Sequence, residues 1–323
     1  MRAMVLNRIS IVNENNLALE LVDIPLPIPK RGEVRIKVSV CGVCHTELDE
    51  IEGRLAPLKL PIVLGHQVVG HIEKLGVGAT KFKFCREGNE NLCDDYKATG
   101  KDMNGGYAEF MTIPQKYAYS IPAFFTDTEA APLLCAGAIG YRAIQHAKIG
   151  NGNRLGLTGF GASAHLVLKM VKYSYPNTKV FVFARNVEER LFAKELGAFW
   201  TGDTTDVPPE KMDAIIDTTP AWKPVVEALG NLEKGGRLVI NAIRKEDHDK
   251  DYLKNFSYQD DLWMEKEIKS VANITGKDVS EFLELAAKAK IRPTFQVYSL
   301  EKANKALLEL KENHIRGAKV LTM

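Results

Sequence analysis

The stretch LGLTGFGASAHLVLKMV, residues 155–171, decides the fold of the middle of this chain. It begins with a short apolar run of strand length and ends in good helix material. Between them Gly159 and Gly161 allow a tight turn, and Ala164 stands where the pattern G-x-G-x-x-G/A permits alanine. Such a turn brings backbone N–H groups and the positive end of a helix against a pyrophosphate. The pattern predicts a dinucleotide-binding site.

Strands and helices alternate around this turn. Short apolar runs separated by helical segments indicate βαβ units around a parallel sheet. Glycine turns without a ligand are common, so it is this alternation that supports a dinucleotide site at the glycine turn. One helical segment, VEERLFAKELG, ends in Gly197, which suits a left-handed helix terminus. The predicted strands cover residues 154–158, 179–184, 212–217, 236–242 and 268–273, and two later helices are predicted near 278–290 and 300–312.

The first third of the chain has a different texture. Residues 33–40, EVRIKVSV, alternate apolar with other side chains, as a half-buried strand does. The prolines within residues 25–29 exclude a helix directly before that strand. These patterns predict an antiparallel β domain with long loops. The pattern changes after it, where Thr126 followed by Glu129 resembles a capping box and predicts the start of a helix.

Composition excludes several classes of protein. The 323 residues are 45% hydrophobic, enough for about two domains. A net charge of +2 without a dense basic block disfavours nucleic acid as a partner. No apolar stretch approaches the roughly 20 residues that a membrane-spanning helix needs, and the first residues lack the features of a secretion signal. We therefore expect a cytoplasmic location and no membrane partner.

Five cysteines are too few for a disulfide scaffold in a chain of this length, which points to thiolate or metal chemistry. Cys44 lies in VCGVCHTELD, His66 in LGHQVVG and Cys135 in APLLCAGAIG. Two thiolates and an imidazole suit zinc, with a fourth position open for water or substrate. Each residue alone is more often a buried thiol or a hydrogen-bonded histidine. Their combination predicts a metal site.

These motifs together resemble the zinc-dependent alcohol dehydrogenases of the medium-chain dehydrogenase/reductase superfamily. CGVCHTE, LGHQVVG, GGYAEF, APLLCAG, GFGASA and IRGAKVL occur in the order expected of that family along nearly the whole chain. The resemblance implies an α/β protein with a GroES-like β-barrel catalytic domain in residues 1–140 and 274–323. It also implies a Rossmann domain, a doubly wound parallel sheet that binds the dinucleotide, in residues 141–273. Dimers and tetramers are common among relatives, so we expect a homodimer or homotetramer.

The resemblance implies a role for each residue near the zinc. Cys44, His66 and Cys135 match the catalytic zinc ligands, whereas Cys41 matches no ligand. Glu47 matches an acid that orients the zinc-bound histidine and fixes its tautomer.

Three further matches concern the substrate and the cofactor. Thr46 matches the residue whose hydroxyl touches the substrate oxygen and relays its proton, and His45 and Arg316 match residues near the cofactor pyrophosphate. The implied reaction interconverts alcohols with aldehydes or ketones by hydride transfer to or from a nicotinamide, with Zn²⁺ as a Lewis acid.

The end of the second strand of the predicted parallel sheet favours NADP(H) over NAD(H). An acid at that position accepts hydrogen bonds from the ribose 2′-OH of NAD. This chain has Ala184 there, followed by Arg185, whose guanidinium could pair with a 2′-phosphate or stack on the adenine. The alternative is a solvent-facing arginine that leaves the choice of cofactor loose.

Two departures from the family lie near the predicted zinc. Gln67 follows His66 where relatives usually carry an acid, so the site has one negative charge fewer and we expect exchange or turnover to change. Asp49 stands where a histidine often ends the proton relay, and a carboxylate is a weaker base near neutrality.

A third departure concerns a structural zinc lobe that many relatives carry. Cys85 and Cys93 preserve only the last two of its four cysteines. Two cysteines cannot complete such a site, so either the lobe is truncated or about 20 residues are absent from the sequence. We favour the second, because losing a barrel strand would be costly. Cys85 and Cys93 are structural zinc ligands only if the lobe is complete.

Two other functions stay open. A zinc-free quinone or enoyl reductase of the same superfamily would share the glycine turn but would have no need of Cys44, His66 and Cys135. A non-catalytic nucleotide-binding protein could keep the fold without turnover, and Gln67 and Asp49 leave room for that alternative.

Overall fold

The computed structural model describes residues 1–78, 90–92, 96–312 and 317–323. They divide into two compact units. The first contains Met1–Cys135, Thr275–Leu283 and Arg292–Met323, and the second contains Ala136–Ile274 and Glu284–Ile291. The domain boundaries drawn from the family resemblance stay a prediction. Among the described residues, no helix has both the length and the apolar character needed to cross a membrane.

The described residues form the following regular elements. The strands are β1 (Arg2–Leu6), β2 (Leu19–Asp23), β3 (Glu33–Val43), β4 (Ile62–Val63), β5 (Val68–Leu75), β6 (Phe110–Pro114), β7 (Arg154–Thr158), β8 (Lys179–Phe183), β9 (Trp200–Gly202), β10 (Met212–Asp217), β11 (Leu232–Ile240), β12 (Glu267–Ser270), β13 (Phe295–Ser299) and β14 (Ala318–Thr322). The α-helices are α1 (His45–Ile51), α2 (Asp127–Pro132), α3 (Ala138–Ala147), α4 (Ala162–Ser174), α5 (Val187–Glu195), α6 (Lys223–Gly230), α7 (Gly276–Lys288) and α8 (Ala303–Lys311).

β3 organises the first unit. It pairs antiparallel with β5, β6 and β14, and β13 continues this sheet beyond β14. A second sheet has the order β2-β1-β4, with both pairings antiparallel. Val34, Val38 and Val40 are buried, as the alternation predicted. The antiparallel β architecture predicted for the first third of the chain is therefore confirmed.

α1 is held in place by two apolar side chains. Leu48 is 3% exposed and Ile51 is fully buried, and both belong to a core cluster that includes residues of β1 and α8. Burying each side chain contributes roughly 1.5–3 kcal/mol. Because α1 has only seven residues, this packing stabilises it more than its intrinsic helix propensity does. The same packing positions Cys44, which directly precedes the helix.

The second unit is built around a parallel sheet of six strands in the order β12-β11-β10-β7-β8-β9. Every pairing in it is parallel. Read from β9, this is the strand order of a doubly wound dinucleotide-binding sheet. In such a sheet the strand order reverses between the first and fourth strands along the chain, here β7 and β10. The predicted α/β fold is confirmed, and each of the five predicted strands is present. β9 was not predicted, because three residues are too few to show a period.

Two predicted helix ends are also present. The Thr126 hydroxyl accepts a hydrogen bond from the Glu129 N–H at 3.3 Å, and the Glu129 carboxylate accepts one from the Thr126 N–H at 2.9 Å. This reciprocal pair begins α2. At the other end of a helix, Gly197 follows α5 with a φ of +88°, which a side chain would strain.

Candidate metal and dinucleotide sites

The structure brings the three predicted zinc ligands together within the first unit. Cys44 precedes α1, His66 lies between β4 and β5, and Cys135 lies in a π-helical turn, Leu133–Gly137. Their sulfur and ring nitrogen atoms lie within 4.8 Å of one another. Within the described parts of the chain, no other group of three or more His, Cys, Asp or Glu side chains is close enough to share a metal ion.

The π-helical turn around Cys135 was not predicted. It follows Pro132, the last residue of α2. Proline has no backbone N–H and its ring crowds the preceding turn, so an ordinary helical ladder is disturbed here. Single π-helical turns inside longer helices are frequent at functional sites. The widened turn is where the chain presents its third sulfur.

This donor set fits a zinc ion. Zinc is bound in proteins by cysteine thiolates and histidine nitrogens in a tetrahedral arrangement. Catalytic sites use three protein ligands and keep the fourth position for water or substrate. The two sulfurs and one imidazole found here are such a three-ligand set.

Glu47 joins two of the candidate ligands. It is fully buried, and its Oε1 lies 2.6 Å from the Nδ1 of His66. Its Oε2 accepts a hydrogen bond from the backbone N–H of Cys44 at 2.8 Å. A carboxylate on Nδ1 fixes the imidazole tautomer and leaves Nε2 as the nitrogen for a metal. The geometry is that expected of the acid predicted to orient His66.

The protonation of the cluster follows from these contacts. A hydrogen bond with the Cys135 thiol, together with His66, lowers the pKa of Cys44 well below its usual value. The same hydrogen bond raises the pKa of Cys135. Burial lowers the pKa of His66, but the charge of Glu47 and the two sulfurs outweigh burial and raise it. A metal ion must displace these protons, so metal binding should strengthen as pH rises.

Gln67 packs tightly beside the candidate ligands. It is 4% exposed, and its Oε1 lies 2.1 Å from the point where a Cβ on Gly42 would stand. Only glycine at position 42 leaves room for this amide. The backbone joins the same residues, since the Gly42 N–H donates to the Gln67 carbonyl at 2.9 Å. The expected effect of this neutral side chain on turnover stays a prediction.

The predicted proton-relay residues Thr46 and Asp49 lie on α1, as does His45, which was predicted to lie near the cofactor pyrophosphate. The Thr46 hydroxyl is 3.7 Å from the Cys44 sulfur, and His45 is exposed. Asp49 is 4% exposed, and Arg54 Nε donates to its carboxylate at 2.6 Å. One oxygen of the Asp49 carboxylate is therefore already bound by the guanidinium. The roles of Thr46, His45 and Asp49 stay predictions.

Glu50 is a buried acid that the sequence analysis missed. It is 1% exposed, and its Oε2 has no hydrogen-bond partner among the described residues. Burial, followed by the charge of Glu47, raises the pKa of Glu50 to about 9. The two acids are three residues apart on α1 and so share a helix face. That spacing was visible in the sequence, but the burial was not.

Replacing Glu50 with glutamine is expected to flatten the pH dependence of stability. The pKa of this carboxyl rises on folding from 4.5 to about 9. The folded protein therefore holds a proton that the unfolded chain releases, and the free energy of unfolding falls as pH rises between those values. Glutamine has no such proton, so near pH 9 we expect Glu50→Gln to be more stable than the wild type by several kcal/mol, because each unit of pKa change corresponds to about 1.36 kcal/mol.

Urea unfolding of the zinc-free wild type and variant between about pH 5 and pH 9 measures this difference. Glu14, which is exposed, supplies the control variant Glu14→Gln, whose pH dependence should equal that of the wild type. Equal pH dependence of Glu50→Gln and the wild type would contradict the expectation.

The predicted glycine turn lies at the end of β7 in the second unit. Gly159 has a φ of +75°, and a Cβ there would stand 3.0 Å from the Thr218 Oγ1 and the Thr219 Cγ2. Gly161 precedes α4, and a Cβ there would meet nothing within 4 Å. Ala164 is fully buried. The turn therefore has an open side at Gly161, where backbone N–H groups at the start of α4 can meet an anion.

A buried polar network lies between β7 and β10, where the strand order of the sheet reverses. Thr158 and Asp217 end the adjacent strands β7 and β10, and the Thr158 hydroxyl donates to Asp217 Oδ1 at 2.5 Å. Lys245 Nζ donates to the other oxygen of Asp217 and to the Thr219 carbonyl, the latter at 2.8 Å. Dinucleotides bind at this reversal point in doubly wound sheets. No local sequence pattern pointed to Asp217 or Lys245.

The residues predicted to select the cofactor follow β8. Ala184 is buried and Arg185 is exposed. Arg190 Nη1 donates to the carbonyls of both, at 2.6 Å and 3.0 Å. The predicted roles of Arg316, Cys85 and Cys93 concern positions outside the described residues.

Comparison with known proteins identifies the family. Residues 30–123 match the family model of the alcohol dehydrogenase GroES-like domain. The chain is 37% identical to the probable alcohol dehydrogenase AdhA of Mycobacterium tuberculosis, over 94% of this chain and 92% of that protein. The chain belongs to the alcohol dehydrogenases of the medium-chain dehydrogenase/reductase superfamily.

Two further matches cover nearly all of this alcohol dehydrogenase. It is 30% identical to the NAD-dependent alcohol dehydrogenase of Sulfurisphaera tokodaii, over 94% of this chain and 96% of that protein. Its fold matches the crystal structure of CAD from Helicobacter pylori complexed with NADP(H), with a TM-score of 0.82 and 20% identity, over 100% of this chain and 99% of that chain. The resemblance noted in the sequence is confirmed, and with it an alcohol dehydrogenase or reductase activity.

Proposed function

We propose that this alcohol dehydrogenase is zinc-dependent, that Cys44, His66 and Cys135 bind the catalytic zinc, and that NADP(H) is its preferred cofactor. The observation that carries the proposal is the approach of these three donors to within 4.8 Å of one another. The contact of Glu47 with the Nδ1 of His66 supports it, because metal-binding histidines usually donate their other nitrogen to such a group.

Each side chain then has a part in the reaction. Cys44, His66 and Cys135 would hold the zinc ion, which would supply a Lewis acid for the substrate oxygen. Glu47 holds the His66 ring in one tautomer and orientation. Thr46, whose hydroxyl is 3.7 Å from the Cys44 sulfur, passes the proton of the alcohol outward. With Asp49 bound to Arg54, the solvent is the simplest final acceptor of that proton.

The preference for NADP(H) rests on the end of β8. Ala184 provides no carboxylate for a ribose 2′-OH and none to repel a 2′-phosphate. Arg185 is exposed beside it and can pair with that phosphate. The glycine turn at Gly159 and Gly161 would hold the pyrophosphate. The cytoplasmic location and the homodimer or homotetramer expected from the sequence stay predictions.

The test is oxidation of NADPH and of NADH with simple aldehydes, with and without a chelator, alongside metal analysis of the purified protein. We expect bound zinc, faster turnover with NADPH, and loss of activity on chelation that added zinc restores. Turnover that survives complete removal of zinc would favour the zinc-free quinone or enoyl reductase. Dinucleotide binding without turnover on any carbonyl substrate would favour the non-catalytic nucleotide-binding protein.

A further inference from the structure

A carboxylate that the sequence analysis did not consider lies on the glycine turn. Glu189, in the first turn of α5, accepts a hydrogen bond from the backbone N–H of Phe160 at 3.3 Å. Phe160 stands between the two glycines of the turn, Gly159 and Gly161. Glu189 is partly buried, so its carboxylate is held against the turn and does not extend freely into solvent.

The carboxyl end of β8 contacts the same glycine turn. The Gly159 N–H donates to the carbonyl of Phe183, the last residue of β8, at 2.8 Å. An acid directly after this strand is the usual partner of the ribose 2′-OH, and this chain has Ala184 there. Glu189 therefore brings a carboxylate to the turn from α5, although the strand end itself has none.

The two neighbouring arginines, Arg190 and Arg185, differ in whether their side chains are already bound. Arg190 binds the carbonyls of Ala184 and Arg185 and lies 3.6 Å from the carboxylate of Asp203. It therefore stabilises the backbone after β8. The side chain of Arg185 is exposed and, within the described parts of the chain, makes no hydrogen bond or ion pair. Arg185 is thus the cation that can bind a phosphate, and Glu189 is the anion that opposes it.

We propose that Glu189 is a specificity-determining residue of the dinucleotide site, whose carboxylate accepts a hydrogen bond from the adenosine ribose and repels a 2′-phosphate. An ionised carboxylate has about four lone-pair sites, so it can accept from a ribose hydroxyl and from Phe160 together. The proposal rests on the proposed function, because it assumes that a nicotinamide dinucleotide binds on the glycine turn. The charges of Arg185 and Glu189 then set the degree of preference for NADP(H).

The test variant is Glu189→Gln, whose amide oxygen can still accept the Phe160 N–H while the charge is lost. Dissociation constants of NADH and NADPH are measured by fluorescence titration without substrate, so turnover plays no part in the readout. We expect the constant for NADH to rise about five-fold, because the ribose hydroxyl loses a charged acceptor. The constant for NADPH should fall about three-fold, because the repulsion of its phosphate is removed.

Glu188→Gln is the matched control, because it removes one charge from the same helical turn at an exposed side chain. It should leave both constants within about two-fold of the wild type. A shift of both constants in the same direction in Glu189→Gln, or an unchanged ratio, would overturn the proposal while leaving the proposed function intact. If the wild type binds neither dinucleotide, the proposed function and the role of Glu189 are both overturned.

Discussion

Replacing Cys44 with alanine is expected to remove zinc from this alcohol dehydrogenase and to lower kcat/KM for aldehyde reduction by at least about 1,000-fold. Two donors in place of three leave an incomplete tetrahedral site. Lewis-acid stabilisation by zinc contributes several kcal/mol to the transition state, and every 1.36 kcal/mol is a factor of ten in rate, which leads to about that loss. Zinc content and kcat/KM are measured on the same purified sample.

Cys41 offers a matched control for Cys44, because both belong to the same C-x-x-C motif. Cys41 is fully buried, and burial raises the pKa of its thiol, so it stays protonated and unsuited to bind a metal. Cys41→Ala should keep its zinc and its activity while losing some stability to a cavity. Equal loss of zinc in both variants would count against the assignment, as would full activity of Cys44→Ala.

Replacing Glu47 with glutamine is expected to weaken zinc binding by about 10–100-fold, the usual effect of removing the partner of a metal-binding histidine. The carboxylate accepts hydrogen bonds on both oxygens, from His66 and from the Cys44 N–H. An amide has one oxygen and one NH₂ group, so one of these donors would face another donor. The variant also loses the negative charge that orients the His66 imidazole toward the zinc ion.

Zinc affinity of Glu47→Gln is measured by competition with a chelator near pH 7. Glu50→Gln is the control, because it alters a second buried acid on the same face of α1. Burial and the charge of Glu47 raise the pKa of the Glu50 carboxyl to about 9 in the metal-free protein, so near pH 7 its replacement by an amide changes little charge before zinc binds. Wild-type affinity in Glu47→Gln would show that the contact with His66 does not support metal binding.

Local patterns were sufficient to predict most of the second unit. β7 and β10 appear at the residues predicted, because strands of a parallel sheet are buried on both faces and read as continuous apolar runs. β4 and β9 have two and three residues, too few to show any period. The π-helical turn at Cys135 was missed because a helical apolar pattern does not reveal one inserted residue.

The candidate metal site was also only partly predictable from the sequence. The residue types at Cys44, His66 and Cys135 predicted a zinc site because thiolates and imidazole are ligands by their own chemistry. The burial of Glu50 is not a property of its local sequence. It depends on α1 packing against segments from the other end of the chain, among them α8.

The sequence by itself determined the fold class, the types of the metal donors and the glycine turn, because periodicity, ligand chemistry and turn geometry all depend on neighbouring residues. The family resemblance had already implied that Glu47 serves His66. Only the tertiary structure decided the partners of two other carboxylates: Asp217 contacts Lys245 and Glu189 contacts Phe160, each across more than a dozen intervening residues. Such contacts depend on how the chain brings distant segments together, and no local pattern records that.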